Sequence, residues 1–258
     1  MELEEKLEQL PWLNDRIILL THTGSKAYGT FVEGKSDIDY KGVCIPPEEY
    51  YLGLDRFDNF DSTGGKNFKT KEGQVDVTVI HISKFVRDAL VGVPNNLEIL
   101  FTDPQDILRV NDFGRELITH RQDFLSKAIK HKFGGYAHSQ VKKLQIKNSN
   151  GTGRQDLIEK FKYDTKFASH AVRLLTAAIE ILTTGTFTTK RPNAKELLAI
   201  RNGKYTEDEI MKIILDLDVE LEELYTKTNK VPHTPDYSKI NKWLVDLNKR
   251  AITTTWEG

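Results

Sequence analysis

The sequence predicts an α+β protein, a small mixed β-sheet domain followed by a helical domain. Three observations carry that reading. β-Branched runs crowd the first third of the chain, helical periods replace them after Ser83, and charge divides along nearly the same line. The net charge of −1 over 258 residues hides the division. Residues 1–120 hold 13 Lys and Arg against 21 Asp and Glu, whereas residues 121–173 hold 12 against 4, a local balance of +8. Such a basic stretch suits a phosphate-bearing partner, and counterion release would make that binding salt-dependent. Solvated helix faces are the plain alternative.

The elements follow in order. Residues 2–9 read as a leading helix that ends before Pro11, and RIILLT (16–21) as a short buried strand. GSKAYG (24–29) is turn-like. SDIDYKGVCI (36–45) alternates as a half-buried strand and stops at Pro46-Pro47, and residues 47–73, with Gly64-Gly65 inside, read as a long loop. QVDVTVIHI (74–82) is the clearest strand, and no strand signal follows it. Helices are then expected over KFVRDALVG with Ser83 as N-cap, and over FGRELITH capped by Asn111 or Asp112. Long amphipathic helices are expected at about 121–147, 155–183, 206–227 and 236–251, separated by the turn-rich segments NSNGTG, TTGTFTTKRPN and NKVPHTP. The domain boundary falls near residue 120, giving a sheet domain at 1–120 and a helical domain at 121–258.

Composition excludes several classes. With 38% hydrophobic residues the chain can build a core, and its single Cys44 excludes a disulfide framework. A reducing compartment, taken as the cytoplasm, follows most simply. The N-terminus MELEEKLEQL is acidic where a secretory signal is basic, and no apolar run approaches a membrane span. The seven His residues lack zinc-site spacing, and no P-loop or dinucleotide fingerprint occurs.

Chemistry concentrates in three carboxylates. Asp37 and Asp39 stand at i and i+2 in an expected strand, so both side chains would leave the same face, where their repulsion invites a hard divalent cation such as Mg²⁺ or Mn²⁺. Asp76 lies between Val75 and Val77 in the second strong strand, and a shared metal would offset the cost of burying it. Gly24 and Ser25 end the first strand in a turn whose N–H groups and hydroxyl could hold a phosphate. Each signal alone is weak; their order along the chain is specific.

The pattern Gly24-Ser25, Asp37-x-Asp39, Asp76 resembles the DNA polymerase β-like nucleotidyltransferase superfamily. More narrowly, GSKAYGT, SDIDYKGV, PNNLEILF (94–101), FGGYAHSQ (133–140) and KYDTKFASHAVRLL (162–175) look like the predicted nucleotidyltransferases associated with RNA ligase and named for an RNA repair pathway. The likeness runs from about Leu20 to about Tyr205. It implies that Asp37 and Asp39 hold two Mg²⁺ (or Mn²⁺) ions, that Asp76 binds the catalytic ion, and that Gly24-Ser25 grips the triphosphate of a nucleoside triphosphate. It also implies an RNA acceptor and an RNA ligase acting in the same pathway.

Lys166, His170 and Arg173 share one face of an expected helix at i, i+4 and i+7, and could bind triphosphate oxygens or the acceptor strand. An exposed charged stripe is the ordinary reading; the matching motif favours nucleotide binding. Lys26 and Tyr28 are further candidate substrate contacts, and Tyr163 with Lys162, Tyr136 and Gln140 could add stacking and polar contacts to a base, core packing being the ordinary reading of such aromatics. Asn95, Asn96 and Glu98 follow Pro94 and suggest a helix cap, with no chemistry assigned. Arg115 and His120 form an R-x4-H pattern found in some helical nucleases, with no supporting motif. The expected activity is transfer of a nucleoside monophosphate to a hydroxyl, first an RNA 3′ end. A protein or small-molecule hydroxyl is the alternative acceptor, and a noncatalytic nucleotide- or nucleic-acid-binding module the alternative class.

Overall fold

A computed structural model describes residues 3–64, 75–145 and 154–256. Residues 65–74, with part of the expected 47–73 loop and Gln74, and the separator NSNGTG (148–153) lie outside the described residues. The chain forms two compact units: Met1–Leu90 with Asn95–Phe124 and Asp236–Gly258, and Val91–Pro94 with Leu125–Pro235.

The first unit opens with two short helices, α1 (Leu3–Leu7) and α2 (Leu13–Arg16), and then strand β1 (Ile17–Thr23). GSKAY, expected as a turn, is a five-residue helix, α3 (Gly24–Tyr28), closed by Gly29 in the left-handed region at φ 74°. Strand β2 (Ile38–Cys44) follows, then α4 (Glu49–Leu52) and β3 (Asn59–Asp61) inside the expected loop, and β4 (Val75–His81). Helix α5 (Ile82–Leu90) starts directly from β4, so Ser83 lies within its first turn rather than capping it. Next come α6 (Pro94–Leu100), the strand β5 (Ile107–Val110) and α7 (Asp112–Thr119). The Asn111 cap is present: its Oδ1 accepts from Gly114 N at 3.0 Å. β5 went unseen because it is four residues long and has no fully buried position.

The five strands run in the order β3-β4-β2-β1-β5. β2 pairs parallel with β4, and the other pairs are antiparallel, so the sheet is mixed. One apolar face carries Leu20, Cys44, Val77, Val79 and Phe60, covered by Leu7 and Leu13 from α1 and α2. By strand alternation the opposite face carries Asp39, Lys41, Asp76 and Thr78.

The last helix, Tyr237–Thr253, belongs to this sheet unit, whereas the sequence reading put all of 121–258 in the helical domain. Polar contacts explain its place. Trp243 Nε1 donates to Glu116 Oε1 at 2.8 Å, the Arg250 guanidinium pairs with the same carboxylate at 2.7 Å, and Tyr51 Oη donates to Asn248 at 3.3 Å.

The second unit is helical: α8 (Ile129–Gln145), α9 (Gln155–Phe161), α10 (Thr165–Thr184), α11 (Ala194–Arg201) and α12 (Glu207–Lys227). Helix α10 is its axis and buries Ala168, Ala171, Leu175, Ala178 and Ile181. The single helix expected over 155–183 is broken at Lys162, which is left-handed at φ 72°. Asp164 then caps α10, accepting from Lys166 N and Phe167 N. A capping box between Thr206 and Glu209 starts α12. Among the described residues no helix is long and apolar enough to cross a membrane.

Gly114 lets α7 lie against β1: a Cβ there would sit 2.0 Å from the Ile18 carbonyl oxygen. Gly114→Ala should therefore lower unfolding stability by at least about 2 kcal/mol, as overpacking against backbone does. Urea denaturation reads this, and an unchanged midpoint would contradict the close approach.

Candidate active site

The parallel pairing of β2 and β4 sets Asp39 abreast of Asp76. Partners in register project from the same side of a sheet, so the two carboxylates share a face. On the other flank of β2, Thr23 pairs with Asp39, and Gly24 follows it at the start of α3. Gly24 has φ +63°, a conformation that favours glycine, and it packs against the Asp39 side chain, whose Oδ2 would stand 2.4 Å from an added Cβ. The start of α3 thus lies against the first of the paired carboxylates.

Asp37 departs from the expected geometry: it precedes β2, which begins at Ile38. Its charge still reaches Asp76. The Asp76 carboxyl is pushed above its ordinary range chiefly by burial, with Asp37 and Asp61 raising it further and Lys6 opposing them. Asp61, in β3, is a fourth carboxylate that sequence reasoning missed because its short strand lay in an apparent loop. The Lys6 ammonium lies 3.7 Å from Asp76 Oδ1 and donates to the Val75 carbonyl.

Among the described residues, no three His, Cys, Asp or Glu side chains form a ready-made metal cage. The donor chemistry nevertheless suits a hard divalent cation. Two carboxylates stand abreast, two more act on one of them, and a lysine ammonium sits on Asp76 as a stand-in positive charge. Asp39 and Asp76, with Asp37, are the residues that would hold such an ion.

Further along the same face, half-buried Lys41 is pushed down to about 8 by burial, against the pull of Glu98 and Asp88. Glu98 itself is 2% exposed and accepts a hydrogen bond from Tyr28 Oη at 2.8 Å. Lys26 lies beside the Phe31 ring at 5.9 Å. Asn96 donates to the Phe85 carbonyl and so anchors α6 within its own unit.

The remaining candidates lie in the second unit. Tyr163 is fully buried and donates to the Tyr205 carbonyl at 2.8 Å; this corrects its expected role as a substrate contact, because it is a core side chain. Arg173 is only 3% exposed, and its guanidinium lies 3.0 Å from His170 Nε2. Burial first, then Arg173, Lys143 and Arg154, pushes His170 down to about 3, so it is neutral at physiological pH and accepts rather than adding positive charge. Lys166 is half-buried in the first turn of α10. The Arg115 and His120 pattern dissolves into local pairs: Arg115 with Asp112, and His120 with Asp123.

A family model described as RlaP, RNA repair pathway DNA polymerase beta family, matches residues 1–246. The chain belongs to this family. As an RlaP member it is a nucleotidyltransferase of an RNA repair pathway. No curated protein matches the chain. Among solved structures it is similar to a nucleotidyltransferase-like protein from Exiguobacterium sibiricum, at 10% identity and a TM-score of 0.31, covering 87% of this chain and 75% of that one. So loose a likeness carries no argument.

The Asp76 shift has a thermodynamic sign. A carboxyl raised in the folded state holds its proton more tightly than in the unfolded chain, so its stabilising contribution is lost as pH rises through the raised value. Asp76→Asn should therefore melt no lower than wild type at pH 7, with any gain shrinking toward pH 4. A variant that melts clearly lower at pH 7 would contradict the assignment of a strained carboxylate here.

Proposed function

We propose that this RlaP chain moves a nucleoside monophosphate from a nucleoside triphosphate onto the 3′ hydroxyl of an RNA, releasing pyrophosphate. The observation that carries the reading is the Asp39–Asp76 pair in parallel register, with Gly24 fitted against Asp39. That arrangement supports the reading because it sets the start of α3 beside Asp39 and Asp39 beside Asp76.

In the reaction the acceptor oxygen bonds to the α-phosphorus while the bond from that phosphorus to the bridging oxygen breaks, and pyrophosphate leaves with the electron pair. Mg²⁺, two ions in the expected arrangement, would neutralise triphosphate charge and acidify the hydroxyl. Asp37, Asp39 and Asp76 are the residues to hold it. The Gly24-Ser25 turn orients the triphosphate through its N–H groups and the Ser25 hydroxyl. Asp76 is proposed as the acceptor for the hydroxyl proton. Lys6 must then leave Asp76, since an ammonium there competes with a metal for the same oxygen. For the second unit, half-buried Lys166 is proposed to bind phosphate groups, whereas Arg173 is a buried side chain held against His170, and the basic sequence of the unit supports an RNA acceptor. An RNA ligase is a fitting pathway partner because it joins the ends such an enzyme prepares.

The test combines labelled nucleoside triphosphates and Mg²⁺ with RNA, with no acceptor, or with small hydroxyl compounds. Label on RNA 3′ ends with matching pyrophosphate release is expected, and Asp39→Ala and Asp76→Asn should lower the rate at least about a hundredfold. Label on the protein or on a small molecule would replace the acceptor. Nucleotide binding without pyrophosphate release would replace the enzyme with a binding module.

A further inference from the structure

We infer that Glu98 is a positioning residue that fixes the far end of α3, and with it the Gly24-Ser25 segment, relative to the sheet, acting through Tyr28. The inference deepens the proposed function and rests on it.

Three observations converge, all within the first unit. Tyr28 is the last residue of α3, the short helix that begins with Gly24 and Ser25. Its hydroxyl donates to Glu98 Oε2 at 2.8 Å. Glu98 stands on α6, which Asn96 fastens to the Phe85 carbonyl of α5, the helix that continues directly from β4 and its Asp76. Glu98 thus connects the far end of α3 with the elements that carry Asp76.

The energetics favour a dedicated role. A carboxylate only 2% exposed is costly to bury, and a hydrocarbon side chain could have filled the same space in α6. Its main chain is tied down as well, since Thr102 Oγ1 donates to the Glu98 carbonyl at 2.9 Å. Neighbouring Asn96 fastens the helix to the α5 carbonyl of Phe85. Glu98 is therefore a fixed point against which a five-residue helix, too short to hold itself, can be aligned. The turn's phosphate-facing groups act only if they are aimed at the same place as Asp39, and the glycine packing at Gly24 controls just one end of α3. The Tyr28–Glu98 bond controls the other.

The test uses the full chain with Tyr28→Phe, Glu98→Gln and the double variant. Two quantities are read: the Kd for a nonhydrolysable ATP analogue in the presence of Mn²⁺, and the Kd for Mn²⁺ alone by electron paramagnetic resonance. Tyr28→Phe should raise the nucleotide Kd about tenfold, the size of one charge-assisted hydrogen bond, and leave the Mn²⁺ Kd within about twofold. General loosening of the fold would weaken both. The double variant should be no worse than the weaker-binding single variant, because the two side chains act as one unit.

Additive losses would mean that Tyr28 touches nucleotide independently, and would overturn the inference. So would a nucleotide Kd unchanged in Tyr28→Phe, or a parallel loss of Mn²⁺ affinity. Tyr28→Phe removes one hydroxyl from a half-buried ring and keeps the test decisive even if Glu98→Gln does not fold. Wild-type protein that binds no nucleotide would sink the proposed function and this inference together, whereas wild-type binding with indifferent variants would sink the inference alone.

Discussion

The parallel register between β2 and β4 is the constraint on which the rest of the site depends. It sets Asp39 beside Asp76, and a slip of one residue would send one of the two carboxylates to the apolar face, among Val77, Val79 and Phe60. The cost of that burial makes the register and the site mutually dependent. The apolar side chains on one face hold the strands in phase, and the opposite face inherits a row of charge.

That charge is not relaxed in the chain as it stands. Asp76 has a raised proton affinity, chiefly from burial, to which Asp37 and Asp61 add and which Lys6 opposes. Folding energy from the apolar layer sustains this unfavourable cluster, as is common where binding or catalysis sets the local requirement. A cation held by these oxygens would relieve the repulsion, which is the physical reason to connect the strain with magnesium chemistry.

Much of this was legible in the sequence. Glycine before serine at a strand end, aspartates two apart and a later aspartate in a β-branched run are local patterns, and they led to the right strands and the right family. What the sequence hid was non-local. The break at Lys162 depends on a cap from Asp164, and the closing helix joins the sheet unit through Glu116, far from it in the chain. Glu98 looked like part of a helix cap because its partner, Tyr28, is brought to it only by the fold. Tyr163 reads as either a stacking contact or a core ring, because a helical pattern does not show that the Tyr205 carbonyl receives its hydroxyl. β3 and β5 were too short for periodicity to separate them from loop.

The central claim is that Asp39 and Asp76, beside the Gly24-Ser25 turn, hold a divalent cation and the triphosphate it carries. A crystal structure with Mn²⁺ and a nonhydrolysable nucleotide tests this most directly, with anomalous scattering used to locate the metal. The account predicts manganese bound by oxygens of Asp39 and Asp76, Lys6 displaced, and phosphate oxygens against the Gly24 and Ser25 backbone. Manganese and nucleotide bound elsewhere, with the Lys6–Asp76 pair intact, would contradict it.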